Sequence, residues 1–291
     1  MILAVEIDNS RINFGIFNEI GNLEANFKIA TDITKTSDEY AILLDGIFNY
    51  RKIERNNIDG AVLCSVVPTL TNVICDLLSQ MFPTIRIIKV QKGIKTGFFI
   101  NVDNPSELGS DLIANAAGVI AIQNGISSCK QACIIVDIGT ASTIFALNEN
   151  KEFIGGSIIP GVEMSFNALH GKTAQLPIVT PIPPTRVIGK NSQDSIRSGV
   201  ILGTAIMIDG FVEKFAAEMK AQNFNVYVTG EYAQDVIPFC ACKYKHIQNL
   251  TYGKQPTTLN TTDFYDDMKQ QQIPMKKWPM WLADKFANMD D

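Results

Sequence analysis

The chain has 291 residues, 46% hydrophobic and 19% charged, with 25 Lys and Arg against 30 Asp and Glu and a formal charge of −5. This is a globular composition that excludes a disordered or low-complexity chain, and the length holds one large domain or two of about 100–150 residues. No basic block or long apolar run is present, which argues against nucleic acid as a partner and against a membrane-spanning helix.

The first apolar run, 2–7, breaks at Glu6 and Asp8, with no basic leader ahead of it, so no signal peptide is expected. Polar Asp8, Asn9 and Ser10 follow, then strand-like 12–17, a turn at 19–22 and a third strand over 23–29, which together predict a β-meander. Tyr40, Leu43, Leu44 and Ile47 give 37–50 helical spacing; 60–67 reads as a buried strand, 68–81 as a helix opened by Pro68, and 85–90 as another strand. Asn104 is placed to cap a helix with Pro105 at its first position, running on through 108–122 and almost wholly apolar after Leu112.

The opening pattern then recurs. Strand 132–136 leads into Asp137-Ile-Gly-Thr-Ala-Ser-Thr143, strand 144–147, an Asn-Glu turn at 148–151 and a third strand from Phe153. Strand, acidic and hydroxyl-rich turn, strand, Asn-Glu turn, strand thus occurs twice, about 130 residues apart, and predicts two similar α/β lobes. Helices over 161–169 and 194–219 and a strand over 225–228 complete the second lobe. We expect lobes at 1–125 and 126–252, and a polar appended tail at 253–291 that docks through Trp278 and Trp281.

The six cysteines (Cys64, Cys75, Cys129, Cys133, Cys240, Cys242) are scattered and read as reduced thiols of a cytoplasmic protein. Cys240, Cys242 and His246 offer three ligands where a structural zinc takes four, and with His170 the only other histidine a His-based centre is not expected.

The two acidic turns are the first candidates for chemistry: Glu6, Asp8, Asn9 and Ser10 in one, Asp137, Gly139, Thr140, Ser142 and Thr143 in the other. Hydroxyl-rich turns present backbone and side-chain donors to phosphate oxygens, and carboxylates beside them hold a hard cation. Two such turns facing each other would form a nucleotide site; the plainer alternative is that Asp and Ser simply end strands. A P-loop is excluded, because Gly171-Lys172-Thr173 has Phe166 where the first glycine belongs, and Gly189-Lys190-Asn191 has Pro184. Asp111 is the third candidate. It shares a helix face with Asn115 in an otherwise apolar segment, and a buried carboxylate is either hydrogen-bonded or functional.

The stretch 102–111, Val-Asp-Asn-Pro-Ser-Glu-Leu-Gly-Ser-Asp, and the segment Asp137–Thr143 resemble the Y-D-N-P-x-x-L-G-x-D-R segment and the D-x-G-T-A-T-T phosphate motif of type III pantothenate kinases. Matches at 65–68, 153–161, 173–177 and 187–195 keep order over roughly residues 1–235. The resemblance implies an actin-like α/β fold built from duplicated ribonuclease-H-like lobes with mixed sheets flanked by helices. It also implies transfer of the ATP γ-phosphate to pantothenate, a divalent cation such as Mg2+, a monovalent cation (K+ or NH4+), a homodimer, and no nucleic-acid or membrane partner.

Carried over by position, Asp111 is the general base, and Asp137 the monovalent-cation ligand, with Glu6 and Asp8 as further metal ligands. Asn9, Ser10, Asn13, Thr140 and Thr143 contact the nucleotide together with Glu6 and Asp8, and Val102, Gly109, Ser110, Leu112 and Ser192 line the substrate site. Departures from the pattern include Glu6 for an aspartate, Asp8 and Glu231 for glycines, Val102 for a tyrosine, Leu112 for an arginine and Ser192 for a threonine. Losing that arginine predicts weaker binding of the pantothenate carboxylate. Two alternatives stay open: a paralogous kinase for another hydroxylated metabolite, and a non-catalytic binding protein on the same fold.

Overall fold

The computed structural model describes residues 1–91, 94, 96–126, 131–247 and 250–252. Cys129 and the segment 253–291, with Trp278 and Trp281, lie outside the described residues. The described chain falls into two compact units, one holding Met1–Gly97 and Asn104–Ile122, the other Phe98–Asp103 and Gln123–Leu250.

In the first unit, β1 (Ile2–Ile7), β2 (Arg11–Phe17) and β3 (Leu23–Ala30) form an antiparallel meander. β4 (Gly60–Ser65) and β5 (Arg86–Lys89) add in parallel, giving the order β3-β2-β1-β4-β5. The parallel additions need crossovers, supplied by α1 (Ser37–Arg51) and α2 (Pro68–Met81). α1 begins in a capping box, with Thr36 Oγ1 accepting from the Glu39 N–H at 3.3 Å and Glu39 accepting from the Thr36 N–H at 2.8 Å. Leu44 and Phe48 of α1 and Ile74 and Leu78 of α2 are buried in one core with Leu3, Val5, Phe14 and Phe27. Phe14 stacks on Phe27 at 4.9 Å between centroids, and Phe48 meets the Phe27 ring edge-on.

The second unit repeats this plan. β7 (Ala132–Ile138), β8 (Ala141–Leu147) and β9 (Glu152–Pro160) form the meander, and β10 (Phe224–Thr229) and β11 (Lys245–His246) join in parallel beside β7. Strand for strand the order β9-β8-β7-β10-β11 matches β3-β2-β1-β4-β5, so the repeat seen in the sequence is a repeat of topology. A two-residue strand, β6 (Phe99–Ile100), extends the β9 edge in parallel; it is too short for any periodicity to announce it. α4 (Val162–Gly171), α5 (Ser192–Arg197), α6 (Gly203–Met219) and α7 (Ala233–Val236) supply the helical layer. Val162, Ile196, Ile208 and Val212 pack with Ile134, Val136, Ile144 and Val226 in a second core.

Two elements differ from expectation. The helix expected over 194–219 is one continuous run from Ser192 to Met219, but its hydrogen bonding widens to a π turn over Ser198–Leu202, where the Ser198 hydroxyl donates to the Val187 carbonyl at 2.5 Å. The helix expected from Asn104 divides. Asn104 caps only a 3₁₀ turn, Pro105–Glu107, through the Ser106 N–H at 3.2 Å; Leu108 is extended (φ −69°, ψ 120°), and α3 (Ser110–Ile126) starts afresh. An extended residue cannot carry the helical ladder, so the restart sets Asp111 in a first turn rather than mid-helix. Among the described residues no helix is long and apolar enough to cross a membrane.

Candidate active site

β1 and β2 are joined by the turn Asp8-Asn9-Ser10, closed by the Asp8 N–H donating to the Arg11 carbonyl at 2.9 Å. The Thr31 hydroxyl donates to the Asp8 carbonyl at 2.6 Å, and the Asp8 carboxylate accepts from the Asn9 N–H at 2.7 Å. Asn9 and Ser10 are exposed. Behind the turn, Glu6 and Asn13 are cross-strand partners, and Asn13 Nδ2 donates to Glu6 Oε2 at 3.0 Å. Five expected nucleotide or metal residues therefore sit on one hairpin end, Asn13 among them holding the glutamate that stands where an aspartate was the pattern.

The second unit has an equivalent hairpin. Asp137 occupies in β7 the place Glu6 occupies in β1, and pairs across with Thr143 as Glu6 pairs with Asn13; Thr229 of β10 is the neighbour on the other side. Gly161, at the start of α4, backs directly onto the turn: a Cβ there would stand 2.2 Å from the carbonyl oxygens of Gly139 and Thr140. The Ser142 and Thr143 hydroxyls are buried and have no hydrogen-bond partner among the described residues. An unmatched buried hydroxyl is costly, and the Thr143 oxygen, beside Asp137 in the ladder, suits a ligand oxygen or a cation.

Asp111 is the second residue of α3. Burial pushes its carboxyl above the usual carboxylate range; the Leu112 N–H and its own N–H pull it down, and the Asp8 charge pushes it up again. The carboxylate lies over Gly109, where a Cβ would come within 2.3 Å of Oδ1. Glycine at 109 is thus a condition of this rotamer. Asn115, one turn along, is fully buried. The Ser110 hydroxyl bonds the Ser65 backbone at the end of β4, donating to its carbonyl at 2.7 Å and accepting from its N–H at 3.0 Å. Sequence reasoning quoted Ser65 within a motif but gave it no role; no spacing rule marks a hydroxyl that meets a backbone 45 residues away.

Val102 follows β6 in the second unit, Leu112 follows Asp111 in α3, and Ser192 opens α5 behind the Asn191 cap, whose side chain accepts from the Asp194 N–H at 2.9 Å. Glu231 is exposed in the turn after β10. The thiols of Cys240 and Cys242 are free, and among the described residues no group of His, Cys, Asp and Glu is arranged to hold a metal by itself. Around Cys242 it is Asp209 that organises the loop, accepting from the Ala241 N–H at 2.7 Å, the Cys242 N–H at 3.2 Å and the Tyr244 hydroxyl.

Comparison with known proteins agrees with this architecture. The family model for type III pantothenate kinase matches residues 2–214. A type III pantothenate kinase of Dehalococcoides mccartyi is 38% identical over 232 residues, 80% of this chain and 85% of the relative. That of Shouchella clausii is 36% identical over 270 residues, 93% of this chain and all of the relative (100%). Among solved structures, the activator of the 2-hydroxyisocaproyl-CoA dehydratase from Clostridium difficile, with bound ADPNP, aligns with a TM-score of 0.50 at 11% identity over 93% of this chain and 96% of that one, a likeness of fold alone. Two lobes of identical strand order give the actin-like ATPase fold, and the chain belongs to the type III pantothenate kinase family.

Proposed function

We propose that the chain transfers the γ-phosphoryl group of ATP to the hydroxyl of pantothenate, giving 4′-phosphopantothenate and ADP, with Asp111 as general base. The observation that carries the assignment is the Asp111 carboxylate itself. It is a partly buried acid with a raised pKa, held in a helix's first turn over a glycine that leaves it room. A base works best when its pKa is drawn toward the working pH. The acceptor oxygen forms a bond to the γ-phosphorus, the bond to the β-phosphate oxygen breaks, and the hydroxyl proton passes to Asp111.

Positioning and charge neutralisation supply most of the catalysis in phosphoryl transfer. Asn9 and Ser10 of the first turn, and Thr140 and Thr143 of the second, offer donors to the phosphate oxygens. A divalent cation fits the donor set, because Glu6, Asp8 and the Asn13 amide present oxygen. Mg2+ characteristically takes one or two carboxylates and completes its shell with phosphate and water, so no larger protein cluster is required. When bound, it neutralises charge on the transferring phosphate. Asp137 would hold the monovalent cation, with Thr143 beside it in the ladder. Val102, Gly109, Leu112 and Ser192 would border the acceptor. We further propose a cytoplasmic homodimer.

The test is ADP formation by the purified protein with ATP, Mg2+ and K+, with and without pantothenate, and with the product mass checked. Pantothenate-dependent 4′-phosphopantothenate supports the reading, and its absence with another hydroxylated metabolite turned over instead contradicts it. Asp111→Asn should lower kcat by about 100- to 10,000-fold.

A further inference from the structure

We propose that Ser110 is a positioning residue for Asp111 and not a contact to the acceptor substrate; the proposal rests on Asp111 being the base. The reason begins in the sheet. β4 pairs with β5 only as far as Leu63 and Lys89, and the Val90 N–H closes that ladder on the Leu63 carbonyl at 2.8 Å. The Val66 N–H turns the other way, to the Ile7 carbonyl of β1 at 3.0 Å. Backbone groups alternate in direction along a strand, so the N–H and carbonyl of Ser65 point to the β5 side, past the point where β5 has ended. Unmatched backbone groups in a partly buried place must find partners.

The Ser110 hydroxyl provides both. It donates to the Ser65 carbonyl at 2.7 Å and accepts from the Ser65 N–H at 3.0 Å, while the Cys64 thiol approaches the same oxygen at 3.4 Å. A serine hydroxyl has one donor and two acceptor positions, and all are engaged here, leaving none for a substrate. The side chain of Ser65 is itself tied to α2, accepting from the Thr71 hydroxyl at 2.8 Å and from the Val67 N–H at 3.2 Å. The first turn of α3 is therefore anchored through Ser110 to the β4–α2 junction. Asp111 is the next residue, with Gly109 on its other side leaving space for its carboxylate. An anchor one residue from the base fixes where the carboxylate points, and an error of about 1 Å in such a group costs on the order of 100-fold in rate.

The test compares Ser110→Ala, Ser110→Thr and Asp111→Asn in the full-length protein, by steady-state kinetics and by amide hydrogen exchange at Ser65. Ser110→Ala should lower kcat about 10- to 100-fold, leave KM for pantothenate and ATP within about twofold, and speed exchange of the Ser65 amide. Ser110→Thr keeps the hydroxyl and should restore kcat and amide protection. A rise in the KM for pantothenate with kcat retained would make Ser110 a substrate contact and overturn the proposal, as would unchanged kinetics in Ser110→Ala when Asp111→Asn is inactive. Full activity in Asp111→Asn would remove the base assignment itself, and the proposal with it. Should Ser110→Ala fold poorly, Ser65 amide exchange in the unaltered protein decides, since fast exchange there contradicts the anchor.

Discussion

At the scale of single residues, the base role proposed for Asp111 would set function against stability. Burial and the Asp8 charge disfavour its ionised form, and two backbone N–H groups only partly offset them. Its folded pKa is therefore raised. The stability contributed by such a group is fully present below its unfolded pKa of about 3.9 and is lost as the pH rises from there through the folded value. At neutral pH the charge is a cost. Asp111→Asn keeps an oxygen to accept the backbone N–H groups and removes the charge. We expect it to be inactive yet to melt higher than the parent at pH 7.5, with the difference vanishing below about pH 4; a lower melting temperature at pH 7.5 would contradict this electrostatic account. Leu112 stands where the family pattern has arginine, and Leu112→Arg is expected to lower the KM for pantothenate, measured at saturating ATP, by restoring a cation for its carboxylate. The residues proposed for the chemistry were chosen from the sequence. Their hydrogen-bond partners were not legible there, because Ser110 meeting Ser65, or Asp209 meeting the loop at 241–244, depends on tertiary approach with no local signature.

At the scale of elements, periodicity and caps located most of what the structure contains. Pro68 opens α2 as its sequence position implied, and Thr36 with Glu39 encloses the start of α1. Thr36→Ala removes the acceptor for the Glu39 N–H and should cost about 1 kcal/mol, a fall in Tm of roughly 2–4 °C at this size, readable by calorimetry without effect on KM. The failures came where local signals competed. Asn104 and Pro105 are good helix starters, but they start a single 3₁₀ turn, because the extended Leu108 stops the ladder before Gly109. The helix over 192–219 is continuous as hydrophobic spacing reads it, but the π turn at Ser198–Leu202 within it carries no spacing signal. At Gly161 the missing Cβ lets α4 begin against the Gly139 and Thr140 carbonyls of the turn proposed to hold phosphate. Gly161→Ala must push the turn away. It should raise the KM for ATP more than that for pantothenate, and an unchanged KM for ATP would count against a phosphate role for that turn.

At the scale of the whole molecule, the duplication is the main structural fact. It was visible as two copies of strand, acidic turn, strand, and the structure gives both copies the same strand order around separate cores. The equivalence of Glu6 with Asp137, each one residue from the end of the first strand of its sheet, follows from that register. Composition argued against some classes of partner but could not name a substrate; that came from motif resemblance, and membership of the family now supports it. If the homodimer forms, sedimentation should give a mass near 64 kDa, about twice the 32.0 kDa chain, and a 32 kDa species at micromolar protein would contradict it. The central claim is phosphoryl transfer to pantothenate with Asp111 as base, and the most direct measurement is mass-verified 4′-phosphopantothenate formation by the parent and by Asp111→Asn, side by side with ATP, Mg2+ and K+. Product is expected from the parent, with a loss of at least about 100-fold in the variant; no product from the parent, or equal product from both, would overturn phosphoryl transfer with Asp111 as base.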